Sequence, residues 1–240
     1  AEANANALKM FDAAIEADPD NAQAYAWKAC TLGQAMVRGY VDKPMQEIMP
    51  EFSNLMSSAL SIDPNDFECH RLQCAVNTMM GDMKAALEHG KKAYDVNPND
   101  PRILQQYGEV LLKTGKTEEG CDLTLLALEY DPIAQGQTNS DKRKSDGVFG
   151  CVLDDRPDVG LEIASGMIDR SEKVLIYSAT LAIGSTGSLE SFSWLMDDLR
   201  NVDLAKIEEA IEEMGKFDVV VQSKMKEVFL DHILPLNEVA

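Results

Sequence analysis

The sequence is poor in basic residues, in aromatic residues and in long apolar runs. Its 240 residues include 22 lysines and arginines against 41 aspartates and glutamates, a formal net charge of −19. Binding nucleic acid by charge neutralisation needs a basic face, so this balance argues against it. No apolar run approaches the roughly 18 to 20 residues that cross a bilayer, so no membrane insertion is predicted. The acidic surface favours solubility or a basic partner.

Cysteine is sparse as well, and the start of the chain lacks the features of a leader. A disulfide framework normally shows even, dense cysteine usage in a shorter secreted chain, whereas this chain has five cysteines. We therefore expect reduced, mostly buried thiols and a cytoplasmic location. No basic and then apolar segment predicts a signal peptide. The chain also opens inside a helical pattern without an initiator Met, which is typical of a piece of a longer protein.

An Asp-Pro or Asn-Pro pair recurs at a constant spacing. Pro64, Pro98 and Pro132 stand 34 residues apart, and each follows a short distance after an alanine. Proline removes a backbone donor and disfavours a helical residue before it, so each pair ends a helix. A period of 34 is that of a helix–turn–helix repeat. The sequence therefore predicts stacked antiparallel helix pairs.

The helix pairs fall into a regular and an irregular part. We predict a regular array at 1–132 and degenerate repeats with a C-terminal capping helix at 133–240. Pro19 and Pro64 are 45 residues apart, one period plus 11, which predicts an insertion near 37–49. Gly81 and Gly115 occupy equivalent turns, where a positive φ favours glycine. The predicted helices are 4–17, one beginning near 22, 52–62, 66–80, 84–96, 101–113 and 117–130, then, after a polar stretch at 136–141, 142–153, 158–169, 172–183, 189–199, 204–214 and 219–234, with a turn at 184–187.

These residues resemble the tetratricopeptide repeat, whose pattern is W-x2-L-G-x2-Y, then A-x3-F, then A and P. Ala7, Phe11, Ala14 and Pro19 match the second half of that pattern. The matches cover residues 1 to about 132 and are specific as a set in register.

The unit at 101–132 is the repeat with the clearest turn. Gly108, Ala127 and Pro132 match the tetratricopeptide pattern, whereas Gly120 and Thr124 depart from it. Here the pattern predicts the helix pair, while the packing at the two departures is open.

The resemblance implies an all-α fold, a right-handed superhelical solenoid of antiparallel helix pairs. In such a fold the first helix of each pair lines a concave groove that binds a peptide or protein. An arginine there can bind a carboxylate by two parallel hydrogen bonds, and a tryptophan can anchor an apolar side chain. The groove residues that the resemblance implies are Trp27, Arg71, Arg102, Gln105, Glu109 and Lys113, together with Gln23, Cys30, Glu68 and Ala75.

The whole chain also resembles the C-terminal repeat region of certain bacterial adenylate cyclases and winged-helix transcriptional regulators. Asn97-Pro98-Asn99-Asp100-Pro101 and the closing Phe229-Leu230-Asp231-His232-Ile233-Leu234-Pro235 carry this resemblance. It implies a bacterial, regulatory segment that controls an attached effector domain through ligand binding or self-association. The two functions that the sequence leaves open are therefore a protein-interaction scaffold, which we favour, and such a regulatory region.

No residue set predicts catalysis, a cofactor or a metal ion. Gly115-Lys116-Thr117 lacks the glycine five positions earlier that a phosphate-binding loop needs. Cys69, His70 and Cys74 lack a second ligand pair. We therefore predict that the protein is not an enzyme. Lys142-Arg143-Lys144, the one basic cluster, predicts a solvated helix start, with a partner contact as the alternative.

Overall fold

The structure, a computed structural model, describes residues 1–41, 43–133 and 141–238, apart from the side chains of Val37, Met45 and Glu238. Its regular elements are helices, and these residues contain no strand, which confirms the predicted all-α, tetratricopeptide-like fold class. A π-helical turn at Phe229–Ile233 joins the last two helices. The helices are α1 (Glu2–Ala17), α2 (Ala22–Val37), α3 (Met45–Ile62), α4 (Phe67–Met80), α5 (Met83–Val96), α6 (Pro101–Lys113), α7 (Thr117–Tyr130), α8 (Asp141–Leu153), α9 (Pro157–Ser165), α10 (Glu172–Thr186), α11 (Ser193–Leu199), α12 (Leu204–Met214), α13 (Val219–Val228) and α14 (Leu234–Glu238).

The helices gather into two compact units, Ala1–Asn99 and Asp100–Ala240. This division follows contacts in space, whereas the predicted division between regular repeats at 1–132 and degenerate repeats at 133–240 follows sequence regularity and stays a prediction.

In the first unit, neighbouring helices pack in the order of the chain. α1 packs against α2, α2 against α3, and α4 against both α5 and α2. Small residues let these helices approach closely, since Ala26, Ala29 and Ala59 are fully buried between them. Asn21 and Asp66 cap α2 and α4 by accepting bonds from the backbone N–H of Ala24 and Cys69, at 3.1 and 2.7 Å.

Two histidines join α4 to α5 within this unit. The Nδ1 atoms of His70 and His89 lie 2.9 Å apart, and His70 Nε2 lies 3.0 Å from the carbonyl oxygen of Pro64. Because a carbonyl only accepts, His70 Nε2 must carry a hydrogen, so Nδ1 of neutral His70 accepts from His89. Burial lowers the pKa of His89, and the neighbouring His70 lowers it further. The neutral form of the His89 ring is therefore favoured beside His70.

In the second unit, the core surrounds α10. This helix packs against α8, α9, α12 and α13, and its residues from Val174 to Ala182 are all buried. A helix buried all round lies in the interior rather than on one side of a core. The neighbouring helices α8, α9, α12 and α13 therefore pack around one central helix.

Glycine permits the close approach of α6 and α7 in this unit. A Cβ atom added to Gly120 would lie 2.8 Å from the Gly108 carbonyl oxygen and 2.8 Å from the backbone nitrogen of Leu112. Real Cβ atoms do not approach backbone atoms so closely, so only glycine fits at this crossing. The departure from the repeat pattern at Gly120 thus has a packing reason.

Predicted turns and helix ends are confirmed in the regular repeats. α6 and α7 begin and end at the predicted residues. Gly81 and Gly115 adopt φ values of 81° and 83°, the left-handed region in which glycine has no Cβ penalty.

The helix predicted at 52–62 begins earlier in the structure, because α3 starts at Met45, within the predicted insertion near 37–49, and includes Pro50. Proline at this position removes the bond to the carbonyl oxygen of Gln46, which would normally weaken or end a helix. The side chains of Ile48 and Phe52, on either side of Pro50, are buried in the core of the first unit. Tertiary packing therefore maintains a helix that local propensity disfavours.

Several predicted elements of the second unit are wrong at their ends. Of the polar stretch at 136–141, residues 136–140 lie outside the described residues, and Asp141 begins α8. α9 ends at Ser165 rather than at 169, and α11 begins at Ser193 rather than at 189. α10 continues through Gly184 to Thr186, because Gly187 supplies the left-handed cap at φ 71°. The last predicted helix, 219–234, is interrupted by the π-helical turn.

All five cysteines are buried as free thiols. In the described ranges, no helix combines the length and the apolar character that a membrane span requires.

Candidate interaction surface

Trp27, predicted as an anchor, lies partly buried on α2 beside the core of the first unit. Its indole N–H donates to the side-chain oxygen of Gln23 at 3.0 Å. The amide of Gln23 donates in turn to the carboxylate of Asp66, the cap of α4. Trp27 therefore belongs to a hydrogen-bond chain that ties α2 to α4.

Arg71 lies on α4 with its guanidinium bonded inside the first unit. It donates to the Glu68 carboxylate at 2.5 and 3.1 Å, and to the sulfur of Cys30 at 3.7 Å. The Glu68 side chain is 0% exposed. Burial is the largest single effect and opposes the charged form of Arg71, yet the hydrogen bond and charge attraction to Glu68, together with the contact to Cys30, outweigh it, so the pKa of Arg71 is raised. The structure thus gives Arg71 a buried partner, and binding of a foreign carboxylate there stays a prediction.

Arg102, on the first turn of α6, is bonded to the residue that caps this helix. Its guanidinium donates to the Asp100 carboxylate at 2.6 and 3.1 Å, and its backbone N–H donates to the same carboxylate at 2.9 Å. A partner carboxylate would have to compete with Asp100 for this arginine.

Gln105 connects α6 to α8 through both ends of its amide. Its nitrogen donates to the carboxylate of Asp146, and its oxygen accepts from Arg143 at 2.8 Å. Arg143 also donates to the carbonyl oxygen of Pro101 at 3.0 Å and to Asp131 at 2.9 Å. This network fixes the two first helices of successive repeats side by side.

Glu109 and Lys113 form an ion pair one turn further along α6, on the same side as Gln105. The ammonium group of Lys113 donates to the Glu109 carboxylate, and the two side chains are 20% and 32% exposed. The same ammonium lies 5.5 Å from the centre of the Phe217 ring, within the range of a cation–π contact.

Aromatic rings continue this surface from α6 toward α10. Phe217, in the turn between α12 and α13, meets Phe149 of α8 edge-on, with ring centres 6.1 Å apart. Phe149 also contacts Tyr177 of α10, at 5.9 Å between centres. Phe149 and Phe217 are partly exposed, whereas Tyr177 is buried. Burial raises the pKa of Tyr177, and the nearby Glu213 carboxylate adds to the shift.

We name these residues the α6–α10 surface. It is a continuous strip of the second unit in which polar side chains on α6 pass into aromatic side chains on α8 and beyond. Its members are Gln105, Glu109, Lys113, Asp146, Phe149, Tyr177 and Phe217.

Asp146 is the carboxylate of this surface whose ionised form burial disfavours. Burial raises the pKa of the Asp146 carboxyl; the Lys142 ammonium, 3.7 Å away, opposes the shift and the Glu109 carboxylate adds to it. Ionisable groups with perturbed pKa values that lie beside a concentration of aromatic side chains are candidates for a binding site.

The basic cluster at 142–144 is not a uniformly solvated helix start. Lys142 is exposed, but Arg143 is 2% exposed and carries the network between α6 and α8. The Nε atom of Arg143 is buried and has no hydrogen-bond partner within the described ranges 1–41, 43–133 and 141–238. Arg143 therefore has a structural role, which the three consecutive basic residues in the sequence do not reveal.

Sequence reasoning placed Gln105, Glu109 and Lys113 on one face of α6, and the structure brings them together. It missed Asp146, Phe149, Tyr177 and Phe217. The signal for two of these was present, since Lys142, Asp146 and Phe149 recur at i, i+4 and i+7 and so share one face of α8. Without the 34-residue register after Pro132, this face could not be aligned with that of α6.

Comparisons with known proteins support the fold. No protein-family model and no curated protein matches the sequence. Among solved structures, a chain of the APC/C hetero-tetramer Cut9–Hcn1 is similar over 95% of this chain, with 10% identity and a TM-score of 0.55. This chain spans 40% of that one. PilF from Pseudomonas aeruginosa is similar over 91% of this chain and 95% of its own, with 15% identity and a TM-score of 0.54.

These two structures show a shared all-α, tetratricopeptide-like architecture. Identities of 10% and 15% show the fold alone, because one fold can carry many functions.

Proposed function

We propose that the chain is a protein-interaction module whose α6–α10 surface binds a peptide segment of a partner protein. The observation that carries this proposal is the row of partly exposed polar and aromatic side chains in contact across α6, α8 and the turn between α12 and α13. Interfaces are enriched in aromatic residues surrounded by polar groups. Solenoids of this kind commonly present their first helices to partners.

The groove residues predicted from the sequence enter this proposal unequally. Gln105, Glu109 and Lys113 belong to the proposed surface. Trp27, Arg71 and Arg102 are proposed as further contacts, although each has a bond within the chain that a partner would have to replace. Control of an attached cyclase or DNA-binding domain, a cytoplasmic location and the absence of enzymatic activity stay predictions.

A peptide selection tests the proposal without knowledge of the natural partner. Peptides are selected from a random display library on the wild-type chain, and their affinity is then measured for Phe149→Leu and Asp146→Asn. Asp158→Asn, on the exposed side of α9, is the charge-matched control. Losing an interface anchor of this kind typically costs about tenfold or more in affinity.

The proposal predicts that the selected peptides weaken about tenfold on Phe149→Leu and keep their affinity for Asp158→Asn. Circular dichroism and a thermal melt establish that each variant is folded. Peptides that bind all three variants as tightly as the wild type would exclude the α6–α10 surface.

A further inference from the structure

A concave surface lies at the C-terminal end of the second unit and shares no lining residue with the α6–α10 surface. It is a cavity of about 370 Å³ between α12 and the segment formed by α13 and the π-helical turn. It is lined by Glu208, Ile211, Glu212, Lys226, Phe229 and Leu230. We name it the terminal cleft.

The floor of the terminal cleft is apolar. Ile211 and Phe229 are buried beneath it, while Leu230 at its edge is 57% exposed. Phe229 and Leu230 are the first two residues of the π-helical turn. Wide turns of this kind are rare in helices and occur frequently at functional sites. Here the turn places one large apolar side chain inward and the next one at the mouth of the cleft.

The rim of the terminal cleft is acidic. Glu208 and Glu212 lie one turn apart on α12 and are both exposed. Among the described residues that line the cleft, Lys226 is the one cation, and it pairs with Glu212 at 2.8 Å. An exposed pair such as this contributes little to stability and can be exchanged for a partner's cation at small cost. Glu208 and Glu212 therefore form a rim that favours positive charge.

We propose that the terminal cleft binds an amphipathic helix of a partner protein, with an apolar side chain over Leu230 and lysine or arginine at Glu208 and Glu212. The cleft lies between two antiparallel helices, and apolar anchors at i, i+4 and i+7 of a helix suit such a groove. This proposal rests on the proposed interaction function only in that the terminal cleft and the α6–α10 surface would each bind protein.

Charge identifies the class of occupant. The chain carries a formal net charge of −19, so a second copy approaching this acidic rim meets repulsion, whereas a basic helix is attracted. Glu208 and Glu212, the two acidic residues of α12 that line the cleft, thus gain a role in selecting the partner.

The test uses a fluorescein-labelled synthetic helix of about 15 residues, four turns long. It carries leucines at i, i+4 and i+7 and lysines on both flanks, and its matched form carries glutamates in place of the lysines. Anisotropy titrations compare the wild-type chain with Leu230→Ser and Glu208→Gln. Val219→Ser and Glu209→Gln are the controls, since both residues are exposed outside the cleft.

We expect the basic helix to bind the wild type and the acidic helix not to bind. Leu230→Ser should weaken binding about tenfold through lost apolar contact. Glu208→Gln should weaken it about threefold at low salt and less at high salt, because the rim charge is screened. Both controls should stay within about twofold of the wild type, as surface changes away from an interface do.

Equal binding of the two peptides, equal binding by Leu230→Ser, or no binding by the wild type would overturn this proposal. The two sites are tested separately, because Phe149→Leu and Asp146→Asn should leave affinity for the basic helix unchanged. A failure at the cleft would therefore leave the α6–α10 surface untouched, and the reverse also holds.

Discussion

Replacing Gly120 by alanine tests whether α6 and α7 are held together by a crossing that only glycine fits. The added Cβ would lie 2.8 Å from the Gly108 carbonyl oxygen, the Leu112 backbone nitrogen and Leu112 Cγ. Two of these three atoms are backbone, so the helices themselves must move apart. Overpacking of this kind costs about 1 to 3 kcal/mol, and we expect the upper half of that range.

Helix propensity acts in the opposite direction and sets the net effect. Alanine is more favourable than glycine by about 1 kcal/mol in a helix, so Gly120→Ala should lower the free energy of unfolding by about 1 to 2 kcal/mol. The matched control is Gly184→Ala in α10, where an added Cβ has no atom within 4 Å. There the propensity gain stands alone, and stability should rise by about 0.5 to 1 kcal/mol.

Urea denaturation followed by circular dichroism at the helical band measures both effects. Both positions belong to the second unit, so they should shift the same transition, and an unchanged slope with denaturant would show that only stability changed. A Gly120→Ala variant as stable as the wild type would refute the close crossing.

Three further predictions concern buried charge. The lowered pKa of His89 means that the unfolded chain takes up its proton first, so stability should fall as the pH falls through the ordinary value of 6.5, and His89→Gln should flatten this slope in urea titrations. Arg71→Met removes the guanidinium that pairs with the buried Glu68 carboxylate and should cost about 3 to 5 kcal/mol; adding Glu68→Gln should restore part of it in the same assay. The raised pKa of Asp146 means that its ionisation opposes folding as the pH rises above the ordinary value of 3.8. At pH 7 the free energy of unfolding of Asp146→Asn, measured by urea titration, should therefore equal that of the wild type within about 0.5 kcal/mol or exceed it.

The regular repeats show what local sequence can predict. Asn97-Pro98 and Asp131-Pro132 end α5 and α7 because proline acts on its own backbone and on the residue before it. Gly81 and Gly115 mark turns because their positive φ values favour glycine, which has no Cβ atom. These causes act over a few residues, so a single sequence contains them.

Where distant packing decides, local rules predict less. Pro50 should end a helix, yet α3 continues past it because Ile48 and Phe52 are buried against neighbouring helices. The end of α10 differs for a local reason, because the helix continues through Gly184 and is capped by Gly187. At Pro50 the sequence pattern is the same with or without the tertiary contact.

The candidate site also contains residues that local sequence predicts and residues that only distant packing brings together. Glu109 and Lys113 could be placed on one face of α6 by helical spacing alone. Phe217 could not, because it reaches Lys113 from the turn between α12 and α13, a contact between residues far apart in the chain. The burial that raises the pKa of Asp146 likewise depends on how α6 and α8 pack.

Chemical-shift mapping tests the proposed function most directly. Backbone amide spectra of the isotope-labelled chain are recorded with and without a peptide selected on the wild type. We predict that the largest shifts fall on Glu109, Lys113, Asp146 and Phe149. Shifts confined to the second helices, α7 and α9, would contradict the proposal that the α6–α10 surface binds the partner.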